Sequence, residues 1–174
     1  MVSFTIRQSS PRHLDPALSS TNQMPILCLK ADITSINVDA IVNSANPALI
    51  AGGGVCGAIH RVAGPELEKV CREIGKCEVG SAVITPAFNL PSQYVIHAVG
   101  PRWLDGQRGE PDLLRRCYES IFSLAREHQI SSMAIPSIST GIYRYPLDAA
   151  VEVAVEVARQ FDGEQIIINF VCFD

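Results

Sequence analysis

Three stretches run consecutively, and their order decides the fold: Ala40-Ile-Val-Asn43, Ser44-Ala-Asn-Pro-Ala-Leu-Ile-Ala51, and Gly52-Gly-Gly-Val-Cys-Gly-Ala-Ile-His-Arg-Val-Ala63. The first is a short, almost wholly apolar run, the mark of a strand covered on both faces. The last opens on three glycines and then spaces Ile59, Val62, Ala63, Leu67 and Val70 as one face of a helix. Strand, loop and helix in that order are the repeating unit of an α/β domain.

The same alternation extends in both directions. Upstream, Pro25–Lys30 is predicted as a strand. Before it, Val2, Phe4 and Ile6 alternate as a short strand that ends at Ser9-Ser10-Pro11, and Leu14 to Gln23 reads as a loop or tether. Residues 1–23 are thus expected to be an extension and 24–174 the main domain. Downstream, Ser81–Thr85 and Tyr94–Val99 are predicted strands, closed by Pro86 and Gly100-Pro101. Pro111 starts a helix with stripe Leu114, Cys117, Ile121 and Leu124. Ser132–Pro136 is a strand. Pro146 starts a third helix, with Ala150, Val151, Ala154, Val157, Ala158 and Phe161 inward, and Ile166–Cys172 is the last strand. Apolar strands alternating with amphipathic helices predict a three-layer α/β/α sandwich.

Composition excludes several function classes. The charge is −4, from 14 Lys plus Arg against 18 Asp plus Glu, which argues against a binder of nucleic-acid backbones. No apolar run approaches the roughly 18–20 residues that cross a membrane, and the first residues lack the apolar stretch of a secretory signal. The six cysteines form no CxxC and no zinc-like pairing with histidine, so no metal is expected. Cys71 and Cys77 could pair only as an isolated disulfide. The expectation is a reduced, cytoplasmic protein.

Two loops carry the chemistry. Gly52, Gly54 and Gly57 satisfy G-x-G-x-x-G and open a helix, offering free backbone N–H groups and the positive helix end to a phosphate. As a dinucleotide-binding fingerprint the match is poor. Eight residues, Ser44 to Ala51, separate strand from glycines, and no acidic strand end follows about 20 residues on. A nicotinamide-dependent oxidoreductase is therefore the remoter reading. The second loop, Pro136-Ser-Ile-Ser-Thr-Gly-Ile-Tyr-Arg-Tyr-Pro146, also joins a buried strand to a helix. Open α/β sheets bind ligands at that edge, so the two loops could clamp one pyrophosphate. Asp32 and Asn46 stand at strand ends nearby. They suit an adenine amino group and ribose hydroxyls, or equally a cap and a turn.

These residues resemble the macrodomain family, in its MacroD-type branch. The resemblance runs from about Cys28 to Phe173, through ADITSINVDAIVNSANPALIAGGGVCGAIHRVAGPEL, GSAVITPAFNLPSQYVIHAVGP and AIPSISTGIYRYP. It implies a mixed central sheet and an ADP-ribose ligand, with no cofactor. It also implies hydrolysis of mono-ADP-ribose from acidic side chains, or of O-acetyl-ADP-ribose. By position, Asp32 would hold the adenine amino group, Ile33 border the base and Asn46 bond the distal ribose. Gly53, Gly54 and Val55 would line one side of the pyrophosphate, and Ser139, Thr140, Gly141, Ile142 and Tyr143 the other. Phe173 matches a position that often stacks on adenine. The partners implied are ADP-ribose, an ADP-ribosylated protein or O-acetyl-ADP-ribose.

The chain departs from that pattern at Cys56, where such hydrolases usually carry an aspartate thought to orient or deprotonate water. A neutral thiol cannot replace that base. Cys56 and His60, four apart on one helix face, could form a nucleophilic dyad. Alternatively, the ligand's own phosphate activates the water while Asn46 holds the ribose. In similar alphavirus macrodomains a cysteine also stands here, and hydrolysis is still attributed to the fold. The catalytic candidates are thus Asn46, Cys56 and His60, and a reader that binds without turnover is the alternative. Arg144 stands where glycine is common; its guanidinium could reach a phosphate or the substrate's protein portion, or simply be solvated. Ala31 replaces a glycine before Asp32.

Overall fold

The computed structural model describes residues 26–161 and 166–172. The expected strand at Val2–Ile6, the tether at Leu14–Gln23 and the adenine-stacking Phe173 lie outside these residues.

Six strands form one sheet: β1 Ile26–Lys30, β2 Ala40–Ser44, β3 Ser81–Pro86, β4 Tyr94–Val99, β5 Ser132–Pro136 and β6 Ile167–Cys172. Their order is β1-β6-β5-β2-β4-β3, and only β3 runs antiparallel to its neighbour β4. The sheet is therefore mixed. Helices α1 Gly54–Ala63 and α2 Pro65–Ile74 cover one face, and α3 Glu110–Glu127 and α4 Leu147–Gln160 the other. The pleat divides each strand between the two cores. In β2, Ala40 and Val42 pack with Leu114, Tyr118 and Phe122 of α3, while Ile41 packs with Ile59 and Leu67 on the opposite side. The α/β/α sandwich is the architecture expected.

One expected helix is two. Gly64, at φ 88°, ends α1 by accepting no further turn, and Pro65 at the next first-turn position starts α2. Proline lacks the N–H that a continuous helix needs. Ile59, Ala63 and Leu67 are buried as expected, but Val62 is exposed. In α4, Val153 is buried and Val151, expected inward, faces outward.

The site's position follows from topology. Strands β1, β2, β5 and β6 are parallel, so their C-terminal ends share one edge. At the opposite end Asp39 ties β2 to β5: its carboxylate accepts from Ser131 N–H at 2.8 Å and Ser132 N–H at 3.0 Å. With strands two and five locked side by side, the loops that follow them rise next to each other.

Candidate functional site

Those loops wall a cleft of about 740 Å³. Its lining includes Asp32, Ile33, Ser44–Asn46, Gly52–Cys56, Pro136, Ser137, Ser139–Tyr143, Val171 and Cys172. The structure thus brings together every sequence-predicted ligand residue that it describes. Volume and mixed lining suit a small-molecule site.

Each residue is held by local chemistry. Asp32 caps the 3-10 turn Ile33–Ser35, its Oδ1 accepting from Thr34 N–H at 2.9 Å and Thr34 Oγ1 at 2.8 Å. It therefore does the capping work and also lines the cleft. Asn46 braces its own loop: Nδ2 donates to Ile50 O at 2.7 Å and Oδ1 accepts from Ile50 N–H at 3.3 Å. An amide oxygen has two lone pairs, so Oδ1 keeps acceptor capacity. Helix α1 starts at Gly54 with Gly53 as its cap and no side-chain capping bond. Its first N–H groups and positive end thus lie at the cleft wall with no side-chain cap among the described residues. Gly54 sits at φ 58°, which glycine adopts without strain.

Two glycines outside the ligand set keep the walls in place. A Cβ on Gly57 would collide with the Gly52 carbonyl oxygen. A Cβ on Gly100 would collide with Ser139 Oγ and lie 2.6 Å from Ile138 Cγ2. Gly57 was legible as part of the motif. Gly100 read only as the end of a strand.

The second wall is a tight turn. Ser139 is at φ 66°, and Arg144, just past the lining residue Tyr143, is at φ 55°. Thr140 Oγ1 donates to Ser137 O at 2.9 Å, and Tyr145 N–H to Ser139 O at 3.0 Å. Tyr143 is half-buried, with the Arg102 guanidinium 5.6 Å from its ring centre, within cation–π range.

No hydrogen bond joins Cys56 to His60, the dyad suggested by their spacing, among the described residues. Cys56 is buried at the cleft floor, and its Sγ donates to Ile50 O at 3.7 Å and faces Asn43 Nδ2 at 3.7 Å. His60 does not line the cleft, and neither of its ring nitrogens has a hydrogen-bond partner among the described residues. One helical turn carries His60 beneath the wall, against His97, with ring centres 6.2 Å apart. Burial pushes its pKa down. His60 belongs to the packing behind the site.

A buried polar cluster lies there. Asn43 Nδ2 donates to His97 Nδ1 at 3.1 Å, so the His97 Nε2–H donates to Thr85 Oγ1 at 3.0 Å, with Cys71 Sγ at 3.7 Å. Burial first, and then nearby His60, pull the His97 pKa down to about 3. Burial pushes the Cys71 thiol up to about 11. Ligand atoms of His60, Cys71 and His97 lie within 4.8 Å of one another, close enough to share a cation. Both His97 nitrogens are engaged by hydrogen bonds, however, and the thiol holds its proton. Asn43, His97, Thr85 and Cys71 form a neutral network, with the His60 ring packed beside it outside the hydrogen bonds. Asn43 has a sequence signal, an amide in an otherwise apolar strand. Its partners come from three other elements, so the network itself was not visible.

Asp32 is the one carboxylate in the cleft lining among the described residues, and Arg61 its one guanidinium. A family model for the macro domain matches residues 42–154. The chain belongs to the macro domain family.

Among the relatives of this macro domain, a macro domain-containing protein of Chlorobaculum tepidum is 51% identical over 148 residues, 85% of this chain and 86% of its own length. An O-acetyl-ADP-ribose deacetylase of Pantoea vagans is 47% identical over 156 residues, 86% of this chain and 91% of its own. Among solved structures, the Oceanobacillus iheyensis macrodomain with ADP superposes with a TM-score of 0.81 at 38% identity, covering 84% of this chain and 82% of that one. The Trypanosoma brucei macrodomain in complex with ADP-ribose gives 0.80 at 40% identity, covering 86% and 64%.

Proposed function

We propose that this macro domain binds ADP-ribose in the cleft and hydrolyses esters at its distal ribose. The substrates are mono-ADP-ribose on acidic protein side chains and O-acetyl-ADP-ribose. One observation carries the reading: two loops, one of them opening helix α1 with no side-chain cap, face each other across a cleft at the sheet's C-terminal edge that Asp32 also lines. Such a cleft fits a pyrophosphate between the loops and a base at the Asp32 end. The Pantoea deacetylase, at 47% identity, supports the ester chemistry.

In this mechanism the walls position and the ligand supplies the base. Asn46 holds the distal ribose. A water attacks the ester, its proton passes to a phosphate oxygen of the ligand and on to the departing oxygen as the C–O bond breaks, leaving ADP-ribose and a carboxylic acid. Holding both reactants in one geometry contributes a large part of such rate gains. Cys56 is a small, hydrogen-bonded floor residue in this scheme. The six free thiols suit a reducing, cytoplasmic setting.

A second reading is a module that binds ADP-ribose without turnover. It draws on a specific observation, that among the described residues Asp32 is the one carboxylate of the cleft lining and position 56 holds a thiol. Calorimetry with ADP-ribose, together with hydrolysis of a glutamate-linked mono-ADP-ribosylated protein and of O-acetyl-ADP-ribose, separates the two. Multiple turnovers by the wild type refute the binding module. Activity appearing only in Cys56→Asp overturns the hydrolase.

A further inference from the structure

A second depression, about 450 Å³, opens beside the main cleft. It is lined by Arg102, Trp103, Leu104, Ile142, Tyr143 and Arg144, and shares Ile142 and Tyr143 with the cleft. Asp32 follows the edge strand β1, whereas this depression joins the loops after β5 and β4, which lie beyond β6 in the strand order. If the base lies at Asp32, whatever is joined to the distal ribose leaves the cleft past Tyr143 and enters this depression.

The surface is built rather than incidental. Glu110 is buried, and one of its carboxylate oxygens accepts from the N–H groups of Leu104, Asp105 and Gly106 at 3.1–3.2 Å. The other accepts from Arg108 N–H at 2.6 Å. Burial alone would raise this carboxyl's pKa, but its backbone donors outweigh burial and hold it at about 2. Loop 103–108 is thus clamped on a buried anion. Trp103 N–H donates to Tyr143 O at 2.9 Å, and the Trp103 ring packs edge-on against Tyr145 at 4.7 Å. The two loops form one platform.

Charge selects the occupant. In a chain of net −4, this platform carries two exposed guanidiniums, Arg102 and Arg144. Neither has a carboxylate partner among the described residues. The nearby Asp105 is already paired with Arg108 at 3.2 Å. Arg144 also holds φ 55°, a backbone state in which glycine would be unstrained. Ile142 and Leu104 supply apolar contact, each mostly exposed.

We propose that this platform is the docking surface for the polypeptide that carries the ADP-ribose, and that it favours acidic residues flanking the modified side chain. The inference rests on the ADP-ribose reading of the main cleft. Two rim guanidiniums are expected to strengthen binding of an acidic flank by about tenfold over a neutral one. The preference weakens as salt rises, because both groups are exposed.

The test is equilibrium binding of the full chain to peptides bearing ADP-ribose through a non-hydrolysable linkage, one flanked by glutamates and one by glutamines, with free ADP-ribose alongside. Wild type is expected to bind the acidic peptide about tenfold tighter than the neutral one. Arg144→Glu should level or reverse that ratio and leave free ADP-ribose binding unchanged. Arg144→Gly should level it while keeping or raising Tm, a combination that a purely structural Arg144 would not give. Equal affinity of wild type for both peptides, with free ADP-ribose still bound, overturns the docking surface. No binding of free ADP-ribose overturns the cleft reading instead.

Discussion

Replacing Gly57 by alanine sets two effects of opposite sign against each other. Gly57 lies inside α1, where alanine is the better helix former by about 1 kcal/mol. Its new Cβ, however, would collide with the carbonyl oxygen of Gly52. Carbon and carbonyl oxygen approach comfortably at about 3.3–3.6 Å, so the Gly52 backbone must retreat by roughly 1 Å. Overpacking of that kind costs about 1–3 kcal/mol, which offsets the propensity gain. For a chain of this size the net change moves Tm by less than about 8 °C. Ligand binding has no such compensation. A 1 Å shift of the glycine wall breaks an N–H contact to the pyrophosphate, and a charge-assisted hydrogen bond contributes about 1.5–3 kcal/mol. ADP-ribose affinity is therefore expected to fall by about 10- to 100-fold. Calorimetric titration and a thermal melt on the same preparation check both numbers. Gly75→Ala is the control: Gly75 is at φ 84° with open space around its Cβ, so it should lower Tm and leave Kd alone. A Gly57→Ala protein that binds ADP-ribose within twofold of wild type would refute the Gly52 loop as a ligand wall.

Asn46→Ala should lower turnover by about 100-fold, ~2.7 kcal/mol in activation free energy, but raise Kd by less than about tenfold. Equal losses in both, measured side by side, would remove its positioning role. Cys56→Ala should change ADP-ribose affinity by less than about twofold and lower stability by about 1 kcal/mol, since only two weak sulfur contacts go; denaturant melts and calorimetry test this. Stability should fall on acidification from about pH 6.5, because the unfolded chain protonates its histidine while His97 resists down to about 3. The loss from His97 reaches about 2 kcal/mol at pH 5, and Glu110, held at about 2, adds to it below the ordinary glutamate range. Cys71, raised to about 11, makes stability decline again above about pH 9. A flat denaturation midpoint between pH 7 and 5 would count against a buried neutral His97.

How much of this was legible depended on the range of the interaction. Strand β2 and the first turn of α1 were readable because local pattern dictates them: an apolar run, then glycines, then helical spacing. The break at Gly64-Pro65 had a local signal as well, but the apolar spacing carries through to Leu67 and masks it. Val151 and Val153 flank the stripe of Ala150, Ala154, Val157 and Ala158 on opposite sides, and only packing in the fold decides which of them is buried. The dyad failed for a related reason. Helical spacing places Cys56 and His60 on one face, but it does not say that the cleft floor lies at one and the protein interior at the other. His97, Thr85, Cys71 and Asn43 come from four elements, and the depression at Arg102 joins a loop after β4 to one after β5. Such juxtapositions exist only once the sheet order is set.

The charge of the chain acquires a different meaning from this arrangement. A net −4 repels a long polyanion, whose binding scales with the number of cations presented to it. A single pyrophosphate needs no such array, because backbone N–H groups and a helix end can hold it inside a cleft with one lining guanidinium. Dipoles fixed in the backbone recognise the part of the ligand that every substrate shares, and they cost no side-chain ordering. Two guanidiniums without a carboxylate partner among the described residues, Arg102 and Arg144, stand outside, where on the proposed reading the attached group would change from one substrate to another. Long-range charge acts on selection and encounter more than on the affinity of the buried site. On the proposed reading, the acidic body with a basic rim divides the work: the cleft would read the nucleotide, and the rim what carries it.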